Sequence, residues 1–274
     1  MIFAVIFSAF ATGPSVVTLT SGKVRGDCAP DFCRYRGIPY AEPPLKSLRF
    51  MPPVEAKPWK PRILDASNFK MNCAQGHFKH GPSWPGLNDT FSEDCLYTNV
   101  YAPPRKARGF GSWPVLFFVY GGDYTVGGPN DEQLYGWRGV KELGDAVFVV
   151  PGWRQGIFGN LGGREVKAAT VDGSSGTAGF ADQQMAMRWA FENVAAFGGD
   201  PNRILLFGES AGAAAVSMHL VSEGSWPYFS RAAMQSGAFV HWAYLNTSVA
   251  QTIFDFFANY TGCAPEKQRE KKKG

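Results

Sequence analysis

The fold of this chain is decided by the stretch Ile204-Leu205-Leu206-Phe207-Gly208-Glu209-Ser210-Ala211-Gly212-Ala213-Ala214-Ala215. An apolar run leads into Gly-Glu-Ser-Ala-Gly and then into helix-forming alanines, which predicts a buried strand, a very tight turn and a helix. In this context a Gly-x-Ser-x-Gly motif exposes a nucleophilic serine. The turn strains the backbone of Ser210, and a Cβ at Gly208 or Gly212 would collide with a neighbouring strand or helix. We therefore predict Ser210 as a nucleophile, with the backbone N–H of Ala211 as an oxyanion donor at the helix start.

The composition is that of a globular protein. The 274 residues, 45% of them hydrophobic and 18% charged, are enough for one large α/β domain. The net charge of +4 is mild, and part of it comes from lysines between residues 267 and 273. Because no basic stripe interleaved with aromatic residues runs along the body of the chain, the sequence does not support nucleic-acid binding. Residues 266–274 are strongly charged and are predicted to be a disordered tail.

The first residues and three acceptor sequons indicate secretion. Residues 1–10 are apolar and are followed by a small-residue cleavage signal, so residues 1–11 resemble a secretory signal peptide, with a first buried strand as the alternative. Acceptor sequons for N-glycosylation begin at Asn88, Asn246 and Asn259. No later apolar run is long enough to span a bilayer. We expect a protein that is secreted or lies in the lumen of the secretory pathway.

Five cysteines fit an oxidising compartment but leave one unpaired. Cys73 and Cys95 flank a segment rich in Gly and Pro, and a bond between them would restrain a loop of about 20 residues, contributing roughly 3 kcal/mol in the chain-entropy model. Cys28 and Cys33 are close enough in sequence to pair across a short turn. Cys263 is then left over, and we expect its partner beyond the end of this chain.

Strand and helix patterns alternate along the chain. Strands are predicted at 16–24, as a hairpin around Ser21-Gly22, and at 34–40, 96–101, 115–120, 146–150 and 232–237, with a helix at 181–197. Residues 41–62 and 74–92 are predicted to be irregular. Such alternation favours an α/β fold with a mainly parallel sheet covered by helices on both faces. With no internal repeat and no linker, residues 12–265 are predicted to form one partial domain.

Several further motifs fall in one order and spacing along the chain: Gly37-Ile38-Pro39-Tyr40-Ala41, Leu48-Arg49-Phe50, Ser92-Glu93-Asp94-Cys95-Leu96, Ala178-Gly179-Phe180-Ala181-Asp182-Gln183, Phe197-Gly198-Gly199-Asp200-Pro201 and Gln235-Ser236-Gly237. With the elbow, they resemble the type-B carboxylesterase family, the α/β-hydrolases that include the cholinesterases. The resemblance extends from about residue 16 to residue 263 and is highly specific.

The resemblance implies a mechanism and a small-molecule ester substrate. Ser210, activated by a His and an acid, attacks the ester carbonyl to give an acyl-enzyme that water hydrolyses. It also implies the Cys73–Cys95 disulfide, and a buried structural ion pair between Glu93 and Arg154. Neither an organic cofactor nor a metal is implied.

The oxyanion hole departs from the family pattern. The family has three successive glycines after the first long apolar strand, whereas this chain has Gly121-Gly122-Asp123. The resemblance gives Gly122, Asp123 and Ala211 as the donor positions. A side chain at Asp123 must find room where glycine had none, and an ionised carboxylate near the oxyanion would oppose its charge. We consider two hypotheses: ester hydrolysis is slowed, or Asp123 acts as a base for water and helps to release groups from Ser210.

None of the four histidines fits the catalytic role. In α/β-hydrolases the acid and then the His follow the nucleophile. His219 lies nine residues into the elbow helix and resembles a structural His of the family, and His241 follows too early. His77 and His80 lie in the disulfide loop without further metal ligands. We therefore expect an N-terminal half of the fold, with an exposed apolar sheet edge and low stability.

Trp84 stands close to the spacing of the cholinesterase tryptophan that binds quaternary ammonium through its ring face. Packing beside Pro82 and Pro85 is the favoured alternative.

The sequence favours a secreted serine carboxylic-ester hydrolase that is impaired as this incomplete chain. The alternatives are a non-catalytic, esterase-like adhesion or binding protein, and a non-functional fragment.

Overall fold

A mixed β-sheet of nine strands lies at the centre of the fold, in the part of the chain that the structure describes. The computed structural model describes residues 13–76, 90–104, 113–131, 136, 138, 142, 146–239 and 244–264. Several sequence predictions lie outside these ranges: the signal peptide at 1–11, His77, His80, Trp84, Asn88, His241 and the tail at 266–274.

The strands are β1 (Gly13–Thr18), β2 (Lys23–Cys28), β3 (Cys33–Pro39), β4 (Ile63–Asp65), β5 (Asn72–Cys73), β6 (Phe91–Ser92), β7 (Tyr97–Ala102), β8 (Trp113–Val119), β9 (Val147–Pro151), β10 (Gly199–Glu209) and β11 (Arg231–Gln235). The helices are α1 (Gly156–Asn160), α2 (Arg164–Ala169), α3 (Ala178–Asn193), α4 (Ala211–Val221) and α5 (Thr247–Tyr260), with short 3-10 turns at Lys46–Leu48, Val194–Phe197 and Glu223–Tyr228. None of the helices in the described ranges combines the length and the hydropathy that a bilayer crossing requires.

The sheet has an antiparallel half and a parallel half. Its order is β1-β2-β3-β7-β9-β8-β10-β11, with β4 beside β2 and with β5 and β6 in a separate pair. The first strands pair antiparallel up to the β7–β9 contact, whereas β9, β8, β10 and β11 are all parallel to one another. The predicted α/β fold is confirmed, and the elbow lies in its parallel half.

Burial explains why these strands occupy the centre. Every residue of β9 is buried, and Val115 and Phe117 of β8 have no exposed surface. Strands covered on both faces are continuously apolar, which is the pattern of β8 and β9. Helix α3 buries Met187 and Ala190, as its helical periodicity predicts, and packs against β9 and β10. Helix α4 packs against β8, β10 and β11.

Strand β11 ends the order of the described strands, so one of its edges has no strand partner there. Met234 of β11 is among the exposed large hydrophobic residues. The expected exposed edge is therefore present in the described part of the fold.

Both predicted disulfides are present. Cys28 pairs with Cys33, which faces it across the β2–β3 ladder, and Cys73 pairs with Cys95. Cys263 is exposed and unpaired within the described residues.

The predicted ion pair between Glu93 and Arg154 is wrong. Arg154 instead pairs with Asp182 of α3, whose carboxylate accepts hydrogen bonds from Arg154 Nε at 2.8 Å, Nη2 at 2.7 Å and the backbone N at 3.0 Å. Glu93 pairs with Arg49, which donates to both of its carboxylate oxygens. Each acid has a different arginine because α3 brings Asp182 directly beneath Arg154, an arrangement that the spacing of the motifs does not reveal.

Candidate active site

Ser210 occupies the turn between β10 and α4. Its backbone has φ 55° and ψ −122°, a region that a residue with a side chain rarely adopts. The N–H of Ser210 donates to the carbonyl of Gln235 at 2.9 Å, and its carbonyl accepts from the N–H of Ala214 at 3.0 Å. Strain of this kind costs on the order of 1–3 kcal/mol and persists only where the surroundings enforce it. The predicted strand, tight turn and helix are all present.

Two glycines permit this turn. A Cβ added at Gly212 would lie 2.0 Å from the carbonyl oxygen of Val119, and one at Gly208 would lie 2.5 Å from the carbonyl carbon of Gly212. Both distances are far inside van der Waals contact, as predicted. Helix α4 therefore approaches the end of β8 closely enough to hold Ser210 at the edge of the sheet.

The loop after β8 lies against the elbow. A Cβ at Gly121 would be 3.0 Å from the Cβ of Ser210 and 2.9 Å from Oε2 of Glu209. Beyond Gly121 the loop turns, because the N–H groups of Thr125 and Val126 both donate to the carbonyl of Gly122, at 2.9 and 3.0 Å.

The three backbone N–H groups that the resemblance gives as oxyanion donors lie in this loop and at the helix start. The N–H groups of Gly122, Asp123 and Ala211 donate no hydrogen bond to any other residue in the described ranges. The first N–H groups of a helix have no partner within the helix, which explains the N–H of Ala211. Gly122 has φ 107° and Asp123 has φ 56°, positive values that residues with a side chain rarely adopt. These three N–H groups thus have no acceptor among the residues that the structure describes.

The side chain of Asp123 is exposed. The side chain of Asp123 therefore extends into solvent. Its positive φ is also tolerated, because aspartate is among the residues that adopt this conformation more often than most. Burial, and secondarily the charge of Asp123, raises the pKa of the Tyr124 phenol to about 12. Asp123 thus adds a negative charge to the loop without being excluded from it by its neighbours.

Side chains outside the elbow fix the loop in place. The amide of Gln75 donates to the carbonyl of Gly127 at 2.7 Å and accepts from its N–H at 2.9 Å, and it also donates to the carbonyl of Cys73 at 3.0 Å. On the other side, the carbonyl of Tyr124 accepts from the N–H of Gly156 at 2.6 Å. The loop is therefore tied both to the Cys73–Cys95 disulfide and to the start of α1.

His219 is a structural residue. It has no exposed surface, its Nδ1 lies 2.8 Å from Oγ of Ser225 and its Nε2 lies 3.1 Å from Oε1 of Gln183. Its ring stacks on Phe180 at 4.0 Å between centroids. Burial lowers its pKa to about 3, so the ring is neutral at pH 7 and both of its nitrogens are occupied. It does not serve Ser210 as a base.

Sequence reasoning did not single out Glu209 or Gln75. Glu209 directly precedes the candidate nucleophile and lies against Gly121. Its position within the Gly-x-Ser-x-Gly motif could have shown that it lies beside the site. Gln75 lies within the segment predicted as irregular, and no motif marks its contact with Gly127.

The remaining candidate residues are placed as follows. Asn246 caps α5, where its Oδ1 accepts from the N–H of Val249 at 3.0 Å and from Ser248 Oγ at 2.6 Å. Asn259 lies within α5 and donates through Nδ2 to the carbonyl of Asp255 at 2.7 Å. Trp84 and Asn88 are outside the described ranges. In the part of the chain that is described, no three His, Cys, Asp or Glu residues form a group that could hold a metal ion.

Comparison with known proteins agrees with this geometry. Residues 13–273 match the model of the carboxylesterase family. The chain is 36% identical over 276 aligned residues to an acetylcholinesterase of Leptinotarsa decemlineata, which covers 94% of this chain and 44% of that protein. It is 35% identical over 265 residues to a cholinesterase of Mus musculus, covering 93% of this chain and 42% of that protein. The chain spans less than half the length of these two relatives.

Proposed function

This chain belongs to the carboxylesterase family, and on that premise we propose that it provides the nucleophile and the oxyanion donors of a serine carboxylic-ester hydrolase. The substrate is a small-molecule ester. The Oγ of Ser210 attacks the ester carbonyl, its proton passes to a general base, and the alcohol leaves. Water then releases the acid from the acyl-enzyme.

One observation supports this proposal most strongly. Ser210 has a strained backbone at the end of a buried parallel strand, beside three backbone N–H groups that lack acceptors within the described residues. A structural serine has no need of such strain. Preorganised N–H donors are the usual means of stabilising the negative charge of a tetrahedral intermediate, and the loss of one typically costs about 10²–10³ in turnover.

The general base has to come from outside the described residues. Of the four histidines in the sequence, only His219 is described, and both of its nitrogens have other partners. We propose that the base and its acid belong to a part of the protein that the described ranges do not include. Without them, Ser210 reacts slowly.

A non-catalytic binding role is the second candidate, and Asp123 favours it. A carboxylate on the loop that carries two of the three donors opposes the charge that develops during acyl transfer. A protein that only binds partners through an esterase-like surface would tolerate this substitution, as would a non-functional fragment.

Labelling with an organophosphonate probe separates the two roles. We expect covalent phosphonylation of Ser210, located by mass spectrometry of peptides. Ser210→Ala should remove the label, whereas Ser222→Ala should retain it. A folded protein that is not labelled after long incubation would contradict the catalytic proposal and support the binding role.

Replacing Asp123 should change the rate of labelling. We expect Asp123→Gly to phosphonylate Ser210 roughly tenfold faster, which corresponds to about 1.4 kcal/mol in the activation barrier. Asp123→Asn removes the charge but keeps a side chain, so it separates the electrostatic effect from loop geometry. If instead both variants label at the original rate but release an acyl group more slowly, Asp123 is a base for water, and the slowed-hydrolysis hypothesis is wrong.

Glycosylation and secretion remain part of the same proposal. Asn246 is exposed at the start of α5, and two disulfides are consistent with an oxidising compartment.

A further inference from the structure

The outer surface of the N-terminal strands is strongly cationic. In β2, Val24 is buried while Lys23 and Arg25 are exposed, because successive side chains of a strand point to opposite faces. Strand β4 lies beside β2, with Ile63 opposite Lys23 and Asp65 opposite Arg25. We define the cationic face as the basic residues of these strands and of the segments that adjoin them: Lys23, Arg25, Arg34, Arg36, Lys60, Arg62 and Lys70.

Three carboxylates, Asp27, Asp31 and Asp65, lie in the same segments as these seven basic residues, and all three have partners. Asp27 pairs with Arg34 and with Arg36, the latter at 3.1 Å. Asp65 accepts from the N–H and the Oγ of Ser67, at 3.0 and 2.7 Å. Those hydrogen bonds, and then the charges of Arg25 and Lys70, lower the pKa of Asp65, and the β2–β4 register places Arg25 directly opposite it.

The remaining cations are open to a ligand. Lys23, Arg25, Lys60, Arg62 and Lys70 are exposed, and none of them forms an ion pair with a described residue. Seven basic residues against three carboxylates give this face an excess of +4, as large as the net charge of the whole chain. The cations come from two separate segments, 23–36 and 60–70, and the sequence alone shows no basic stripe because only the pairing of β2 with β4 brings them together.

The surroundings of the face decide which polyanion it fits. Binding of single-stranded nucleic acid uses exposed aromatic rings for stacking. The Phe69 ring lies beneath the guanidinium of Arg36, 5.0 Å from its centroid, and the partly buried Trp59 donates its indole N–H to the carbonyl of Lys23. Insertion into lipid needs large exposed apolar side chains, and the face offers Val16 and Ile63, each about 40% exposed. The cationic face therefore suits an anion that presents neither bases nor acyl chains.

We propose that the cationic face binds a linear sulfated polysaccharide. Lys23 and Arg25 stand two apart on β2, where side chains of one face repeat at about 7 Å, and neighbouring strands lie about 4.8 Å apart, spacings that suit repeated sulfate groups. The attraction is electrostatic and weakens as salt is added, since binding releases counterions from the polyanion. The proposal does not depend on the chemistry of Ser210.

Binding to heparin tests this inference. We expect the full chain to bind heparin at 150 mM NaCl. Replacing Arg25, Arg62 and Lys70 together with Gln should weaken binding by roughly tenfold or more and reduce the slope of log Kd against log[NaCl] by about 2 to 3. Circular dichroism should show that the variant retains its secondary structure, because all three side chains are exposed.

Two control variants each remove three positive charges elsewhere. One replaces Lys46, Arg164 and Lys167 with Gln, and the other replaces the three lysines at 271–273. Both should bind heparin within about twofold of the original chain. If either control loses as much affinity as the variant of the face, net charge or the tail is responsible and the proposal is wrong. Tighter binding to double-stranded DNA or to phosphatidylserine vesicles than to heparin, lost in the same face variant, would also overturn it.

Discussion

Replacing Gly212 with alanine is expected to lower the free energy of unfolding by about 3 kcal/mol or more, and to prevent labelling of Ser210. The new Cβ would lie 2.0 Å from the carbonyl oxygen of Val119 and 2.8 Å from that of Tyr120, both backbone atoms of neighbouring buried residues. A flexible side chain could move aside, but the backbone at the end of β8 is fixed by its pairing with β9 and β10. Denaturation by urea, followed by circular dichroism, measures the change.

Gly76 offers a matched control for this substitution. A Cβ added there has no atom within 4 Å, so Gly76→Ala should alter the free energy of unfolding by less than about 0.5 kcal/mol. If Gly212→Ala unfolds at the same urea concentration as the original chain, helix α4 does not approach β8 as closely as described.

Replacing Asp182 with alanine should cost about 3–5 kcal/mol of stability. The Arg154 side chain is only 3% exposed and that of Asp182 is fully buried, so the substitution leaves a charged guanidinium without a counterion away from water. The damage should extend to the candidate site, because Trp153, next to Arg154, stacks on Tyr120 and contacts Tyr124 of the loop that follows β8. Thermal unfolding and the labelling rate of Ser210 report the two effects.

The substitution Glu192→Ala, in the exposed ion pair of Arg188 and Glu192, serves as the control for Asp182→Ala. Glu192→Ala removes an ion pair of similar geometry at the surface, with Nε and Oε1 2.8 Å apart. It should cost about 0.5 kcal/mol or less, since solvent screens exposed pairs. Equal losses in Asp182→Ala and Glu192→Ala would mean that Arg154 is hydrated in solution.

The fold could be predicted from the sequence where local pattern and tertiary environment agree. The apolar runs of β8 and β9 are buried on both faces, and the glycines around Ser210 allow a single tight turn. Helix α5 was not predicted, although Asn246 is a strong N-cap residue. The apolar residues of this helix also segregate to one face, so its sequence carried a helical signal.

The ion-pair and hydrogen-bond partners of individual side chains were harder to predict than the strands and helices. The resemblance identified Glu93 and Arg154 as charged residues with structural roles, but their partners, Arg49 and Asp182, come from distant segments. The two hydrogen bonds between Gln75 and Gly127 are also a tertiary contact, and no sequence motif marks it. The assignment of the backbone N–H groups of Gly122, Asp123 and Ala211 as oxyanion donors comes from the family resemblance and stays a prediction.

The position of β8 between β9 and β10 has a consequence for synthesis on the ribosome. Residues 115–119 leave the ribosome long before their parallel partner at 204–208, and the N–H of Ser210 finds its acceptor only when Gln235 follows. Because synthesis proceeds at about 5–20 residues per second, the apolar strand β8 leaves the ribosome roughly 5–20 s before β10, its parallel partner. Such non-local pairing folds slowly. The elbow therefore completes its hydrogen bonding only after Gln235 has emerged.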